Sequence, residues 1–299
     1  MAQSGILLGM VLIFIAVYLA LGGKHPFAGA PEISADSLRN YGRELVQHTG
    51  KYFGPSGSIN KNSNGMNCQN CHLDAGTRPY GNNFLAVAST YPKYRPRSGR
   101  VEGVARRIND CFERSLNGKA LDTGSLEMQA IAAWVLWVGR DVKNGKIKMQ
   151  EGIERLPYMN RAASPESGKE IYSQKCQSCH GVEGQGVIAA NEYTFPPLWG
   201  SQSFNSGAGL YRLSRLAGFI HSNMPLGSSQ SNPQLTAEQA WDIAAYISSM
   251  PRPAADLSRD WPRLEEKPVD HPFGPFADGF SATQHKFGPF SPIEAAHKK

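Results

Sequence analysis

No basic stripe interleaved with aromatics runs through these 299 residues, and that absence argues against a nucleic-acid-binding protein. Cysteine is scarce, at five residues: 68, 71, 111, 176 and 179. No further Cys/His pair accompanies them to complete a tetrahedral zinc set. Charge is neither dominant nor absent. Hydrophobic residues make up 40% and charged residues 19%, which excludes wholesale disorder. The formal net charge of +6 favours anionic partners without identifying them. The long apolar run, Ile6 to Leu21, has no Lys or Arg before it, while Lys24 follows it. The positive-inside rule therefore does not set its orientation.

The length suggests two domains. Residues 1–24 read as a membrane anchor or a cleaved signal sequence. The run is long for a signal core, and Pro31 spoils the small-residue cleavage pattern at Ala28-Gly29-Ala30, so the anchor is the favoured reading. A first unit is expected at 25–150 and a second at 151–255. An irregular Pro-rich extension at 256–299 contains FGPF twice, and its aromatics are expected to pack over the domains. In the first unit, Leu38, Tyr41, Leu45 and Val46 have helical spacing behind Asp36. Helices are also expected over about 99–116 and 125–142. In the second, Ser164-Pro165-Glu166 is a helix start. Gly168, Tyr172 and Cys176 then share a face that a helix over about 236–250 is expected to cross.

Four cysteines fall into Cys68-Gln69-Asn70-Cys71-His72 and Cys176-Gln177-Ser178-Cys179-His180. This C-x-x-C-H spacing attaches haem through two thioethers, and the adjacent histidine becomes an iron ligand. The expectation is two covalently bound c-type haems. The fold class that follows is mainly α: two tandem cytochrome c-like domains, an N-terminal hydrophobic helix and an irregular tail. Covalent attachment of this kind places the bulk on the periplasmic side of a bacterial inner membrane. The protein is anchored there, or soluble in the periplasm if the leader is removed.

Each iron needs a sixth ligand. In the second unit the candidate is Met224, followed by Pro225, with His221 as the alternative. In the first unit the candidates are Cys111, His48 and an open site, and Met128 reads as core. On a helix, Arg107, Cys111 and Ser115 share one face at i, i+4 and i+8. A cation beside a thiol favours thiolate, the form that ligates iron and attacks sulfur.

The two motifs, the stretch RRINDCFERSLNGKAL between them and the late Asn223-Met224-Pro225 resemble dihaem thiosulfate dehydrogenases. The first unit is also similar to SoxA-type cytochromes of sulfur oxidation. The resemblance covers about residues 35–255. It implies a His72/Cys111-ligated active-site haem and an electron-transfer haem. Arg107, Ser115 and Arg97 match the family's substrate-site positions, and His180/Met224 ligation is the better reading for the second haem. The implied reaction joins two thiosulfate ions into tetrathionate. Two electrons then pass through the second haem to a small periplasmic cytochrome c or another acceptor. Rival readings are an anchored electron-transfer cytochrome without substrate chemistry, a tetrathionate reductase, and a SoxA-like thiosulfate-transfer subunit.

Overall fold

Helix α1 (Ala35–Gln47) carries Asp36 in its first turn, where a carboxylate offsets the positive helix end. The computed structural model describes residues 33–149 and 151–298. The expected anchor or signal helix at 1–24 lies outside them. Among the described residues no helix is long and apolar enough to cross a membrane. A short antiparallel hairpin, β1 (Lys93–Arg95) with β2 (Arg100–Glu102), precedes helix α2 (Val104–Asp110). Ser125 caps helix α3 (Leu126–Val138) by accepting from the Met128 amide.

The first core forms where α1 crosses α3. A Cβ on Gly42 would lie 1.9 Å from the Ala130 carbonyl oxygen, so only glycine permits this approach. Leu45, Phe53, Phe112, Met128, Ile131 and Val135 fill the space around it. Met128 is core, as its spacing implied.

The second unit repeats the device. Ser164 caps helix α4 (Pro165–Lys175), accepting from the Ser167 amide, with Pro165 at the helix start. A hairpin of β3 (Val187–Ala189) and β4 (Glu192–Phe195) follows. Next come helices α5 (Leu213–Asn223) and α6 (Ala237–Ser249), the latter entered through a Thr236/Gln239 capping box. A Cβ on Gly168 would lie 1.9 Å from the Asp242 carbonyl oxygen of α6. Both units therefore use one glycine to let the first helix cross the last. Ala240, Ile243, Ala244 and Ile247 of α6 are buried, as expected.

Three expectations change. The helix expected over 99–116 is a strand, then α2, then a π-helical turn over Cys111–Ser115. Its i→i+5 bond runs from the Leu116 amide to the Cys111 carbonyl at 2.9 Å. The helix expected over 125–142 stops at Val138. Gly139 approaches the Leu85 carbonyl closely there, and a separate turn, Arg140–Lys143, follows. The tail carries short helical segments at Leu264–Glu266, Ala282–Phe287 and Ser291–His297. Phe290 and Ile293 are buried in the second core, and Phe273 packs on the first. The first core also takes in Tyr193, Phe204, Ala208 and Tyr211 from the second unit.

Candidate haem and substrate site

The first motif opens with a 3-10 turn, Cys68–Asn70, closed by a capping box between Asn67 and Asn70. His72 Nδ1 lies 2.5 Å from the Asn82 carbonyl oxygen. A carbonyl accepts only, so Nδ1 carries the proton and Nε2 keeps its lone pair for a metal. The second motif repeats this, with His180 Nδ1 3.0 Å from the Pro196 carbonyl oxygen. Burial pushes His72 down to about 4 and also lowers His180, so both rings are neutral at neutral pH.

Tyr172 donates to the Gly181 carbonyl at 2.6 Å and fixes the end of the second motif. A cavity of about 510 Å³ opens beside it, lined by Cys176, Cys179, His180 and Met224 with Leu216, Ile220 and Ile243. A cavity of that size and lining suits a flat apolar cofactor with two axial donors. His221 is not part of this lining, because its Nδ1 is 2.7 Å from Glu154. The same cavity reaches Cys71 and Asn70 of the first motif and Asn67 just before it. His48 lines it too, with Nδ1 2.9 Å from Glu192. Asn223, the residue before Met224, donates across to the Tyr80 carbonyl at 3.1 Å and ties the methionine segment to the first unit.

Cys111 opens the π turn, and Arg107 Nη1 donates to its Sγ at 3.0 Å. The neighbouring Cys111 sulfur holds the Arg107 guanidinium above its ordinary range, against burial. Burial pushes the thiols of Cys68 and Cys71 up to about 12, and proximity to the Cys111 sulfur adds to it. Cys111 is thus near enough to Cys68 and Cys71 to act on both electrostatically. Ser115 closes the π turn and is half-buried, displaced around the helix axis from its α-helical position.

Arg97 is drawn the other way. Its Nη1 donates to the Gly207 carbonyl at 2.9 Å, its Nε is 3.9 Å from Asp260, and its Cζ stands 5.7 Å from the Trp261 ring. Burial, then the neighbouring Arg114 charge, lowers it to about 10, with a smaller contribution from Arg107. Arg106, from the same basic stretch, is half-exposed and pairs with Asp110 and Glu113.

Sequence reasoning missed Tyr91. Its phenol is half-buried, and burial raises its pKa against the charges of Arg95 and Arg107, with the Cys111 sulfur also near. Nothing in its sequence neighbourhood marked it. Sequence reasoning also missed what supports the π turn. The Asn205 amide donates to the Arg114 carbonyl at 3.0 Å, and its Nδ2 donates to the Glu113 carbonyl at 2.9 Å. Arg114 itself makes two 2.8 Å bonds to Asp260.

Residues 58–143 match the SoxA/TsdA cytochrome c domain, and residues 165–251 match cytochrome c. The chain is a c-type cytochrome with two covalently bound haems. It is 36% identical to a thiosulfate dehydrogenase of Psychrobacter arcticus, over 74% of this chain and 65% of that one. It is 39% identical to that of Allochromatium vinosum, over 64% and 71%, and 35% identical to that of Stutzerimonas stutzeri, over 80% and 74%. A solved thiosulfate dehydrogenase (TsdBA) from Marichromatium purpuratum superposes with a TM-score of 0.65 at 33% identity. The match covers 75% of this chain and 48% of that one. The chain belongs to the thiosulfate dehydrogenase family.

Proposed function

We propose that this protein oxidises two thiosulfate ions to tetrathionate and passes the two electrons onward through its second haem. The observation that carries the reading is the 3.0 Å contact from Arg107 Nη1 to Cys111 Sγ at the start of a π turn. π turns are frequent at functional sites, and an ordinary buried cysteine has apolar neighbours. His72 and Cys111 would ligate the first iron, and His180 and Met224 the second. The haems, when bound, supply the two one-electron acceptors that the oxidation needs.

The chain's own residues do the rest. Arg107 stabilises the Cys111 thiolate and presents a planar fork that fits a sulfonate. Arg97 adds positive field from the tail side, and Ser115 offers a hydroxyl at the end of the turn. The Cys111 thiolate forms a sulfur–sulfur bond with the outer sulfur of one thiosulfate, and two electrons leave. The outer sulfur of a second thiosulfate attacks that bond, forms tetrathionate and releases Cys111 as thiolate. Two dianions repel in one pocket, and the arginines offset that repulsion. The +6 net charge assists their approach. Covalent haem attachment puts the reaction in the periplasm, with a small cytochrome c or similar carrier as acceptor.

Cys111→Ala tests this. Both haems stay attached, while thiosulfate no longer reduces them and no tetrathionate appears. The low-temperature EPR signal of a thiolate-ligated low-spin haem disappears as well. Turnover at the wild-type rate in that variant overturns the proposal.

A further inference from the structure

The loop over residues 73–82 follows His72 and reaches across to the methionine segment of the second unit. At its end, the Asn82 carbonyl oxygen lies 2.5 Å from His72 Nδ1. Two residues earlier, the Tyr80 carbonyl accepts from Asn223 Nδ2 at 3.1 Å. Arg78 Nη2 donates to the Ser228 carbonyl at 3.2 Å. Asn223 and Ser228 stand on either side of Met224 in the chain. Leu73, Asp74 and Arg78 also line the cavity that holds His180 and Met224. One loop thus walls the second site and orients the histidine of the first.

A second route closes the frame. The Asn82 amide donates to the Gly152 carbonyl at 2.6 Å. Two residues on, the Glu154 carboxylate lies 2.7 Å from His221 Nδ1 and accepts from the Ser222 hydroxyl at 2.6 Å. A Cβ on Gly218 would lie 2.0 Å from the Glu154 carbonyl oxygen, so this segment is pressed against α5. The backbone of the loop is not relaxed. Tyr80 and Asn82 have φ of 56° and 57°, in the left-handed region. Such residues cost free energy and persist only where their surroundings hold them. Here the holding bonds are those of Arg78, Asn223 and Gly152. Asn223 is buried and its Oδ1 has no hydrogen bond, so the amide is placed for its donations, to Tyr80 and to the Phe219 carbonyl.

We propose that the 73–82 loop is a positioning element shared by both irons. Arg78 and Asn223 hold Met224 in place, and a displacement of Met224 reaches His72 through the strained loop. This rests on His72 and Met224 being axial ligands. The two contacts set the potentials in opposite directions. A thioether ligand favours ferrous iron, so a loosened Met224 lowers the potential of the second haem. A carbonyl bond to Nδ1 makes the imidazole a stronger donor to ferric iron, so a slackened bond raises the potential of the first. The intact loop therefore holds the first potential down and the second up, the direction in which electrons leave the substrate site.

The experiment uses the full holoprotein with Asn223→Ala, Arg78→Ala and Arg78→Lys, each checked for two attached haems per chain. The readouts are the methionine–iron charge-transfer band and a spectroscopic redox titration of each haem. Absence of that band from the wild type overturns the ligand assignment, and the proposal with it. In Asn223→Ala, which changes no charge, the expected result is a weakened band, a lower potential for the second haem and a higher one for the first. Arg78→Ala gives the same opposed shifts. Arg78→Lys can still donate to Ser228 and restores most of both. The Arg78 pair also serves if Asn223→Ala does not fold. Loss of the Arg78 charge by itself would lower both potentials. A fall at both haems in Arg78→Ala, or a shift confined to the second haem in Asn223→Ala, overturns the proposal. So do an unchanged band and unchanged potentials.

Discussion

Arg107 and Cys111 are four residues apart, and their side chains meet. The guanidinium is held above its ordinary range by the sulfur, and it is half-buried with a donor 3.0 Å from Sγ. Arg107→Lys keeps a positive charge but loses the fork that can hold sulfur and a sulfonate together. The expected outcome is a raised KM for thiosulfate. It lowers kcat/KM by on the order of tenfold, about 1.4 kcal/mol, with a smaller effect on kcat. Steady-state assays of both variants check this, and Arg107→Ala is the more severe. An unchanged KM with a large loss of kcat would move Arg107 from binding to thiolate stabilisation alone. Much at this scale was legible in the sequence. C-x-x-C-H is a local pattern, and an i, i+4 arginine–cysteine pair survives wherever an α-turn links them. Ser115 was less legible, because its place depends on whether the helix stays α beyond Cys111. Tyr91 was invisible, since only the fold brings it to Arg107 and Cys111.

At the scale of elements, the helix starts that carry their own caps were readable: Ser125, Ser164 and Thr236 each lie next to the helix they begin. The start of α5 was not. Its N-cap position is Arg212, which has no side-chain cap bond. The cap comes from the tail, 56 residues on, where Asp270 accepts from the Ser214 amide at 3.1 Å and from the Ser214 hydroxyl. Arg212 adds bonds of 2.8 and 2.6 Å to the same carboxylate. Burial pushes Asp270 up, but the Arg212 charge and the Ser214 bonds outweigh it, so its pKa is below the ordinary value. A depressed carboxylate contributes stability above its unfolded pKa, roughly 3.9, and loses it as the pH falls through the folded value. Asp270→Asn is expected to cost about 2–3 kcal/mol at pH 7, from the cap and the broken ion pair. The gap from wild type should narrow as the pH falls below about 4. Denaturant midpoints across that range check it, and a pH-independent gap would show that the loss is packing. Glycine crossings fall between these cases. Gly168 was readable from the aromatic one turn on. Gly42 does the same work in a helix whose pattern drew attention to its larger residues.

On the scale of the whole molecule, the tail and the second unit brace the turn that carries Cys111. A π turn misaligns backbone groups that an α-helix would pair. Here Asn205 takes up the Glu113 and Arg114 carbonyls, and Asp260 holds the Arg114 side chain from outside. The Trp261 amide donates to the Arg97 carbonyl at 2.7 Å, which docks the tail on the segment before β2. None of this was legible in the sequence. The residues lie about 90 to 160 positions apart, and the tail offered only prolines and aromatics. Asp260 is about one-tenth exposed and faces two guanidinium groups, Arg114 at 2.8 Å and Arg97 at 3.9 Å. Asp260→Asn leaves both cations without their anion. Breaking such a pair is expected to cost about 3 kcal/mol. The effect on function should exceed the effect on haem content. Both motifs and their histidine–carbonyl bonds lie away from Asp260, so both haems still attach. The π turn loses its outer brace, so the Cys111–Arg107 geometry loosens. The expected result is two haems per chain, a broadened or split EPR signal from the thiolate-ligated haem, and thiosulfate oxidation reduced roughly tenfold or more, about 1.4 kcal/mol in the barrier. A variant with wild-type EPR and wild-type turnover would mean that the turn holds its shape without the tail, with Asn205 alone sufficient to keep it.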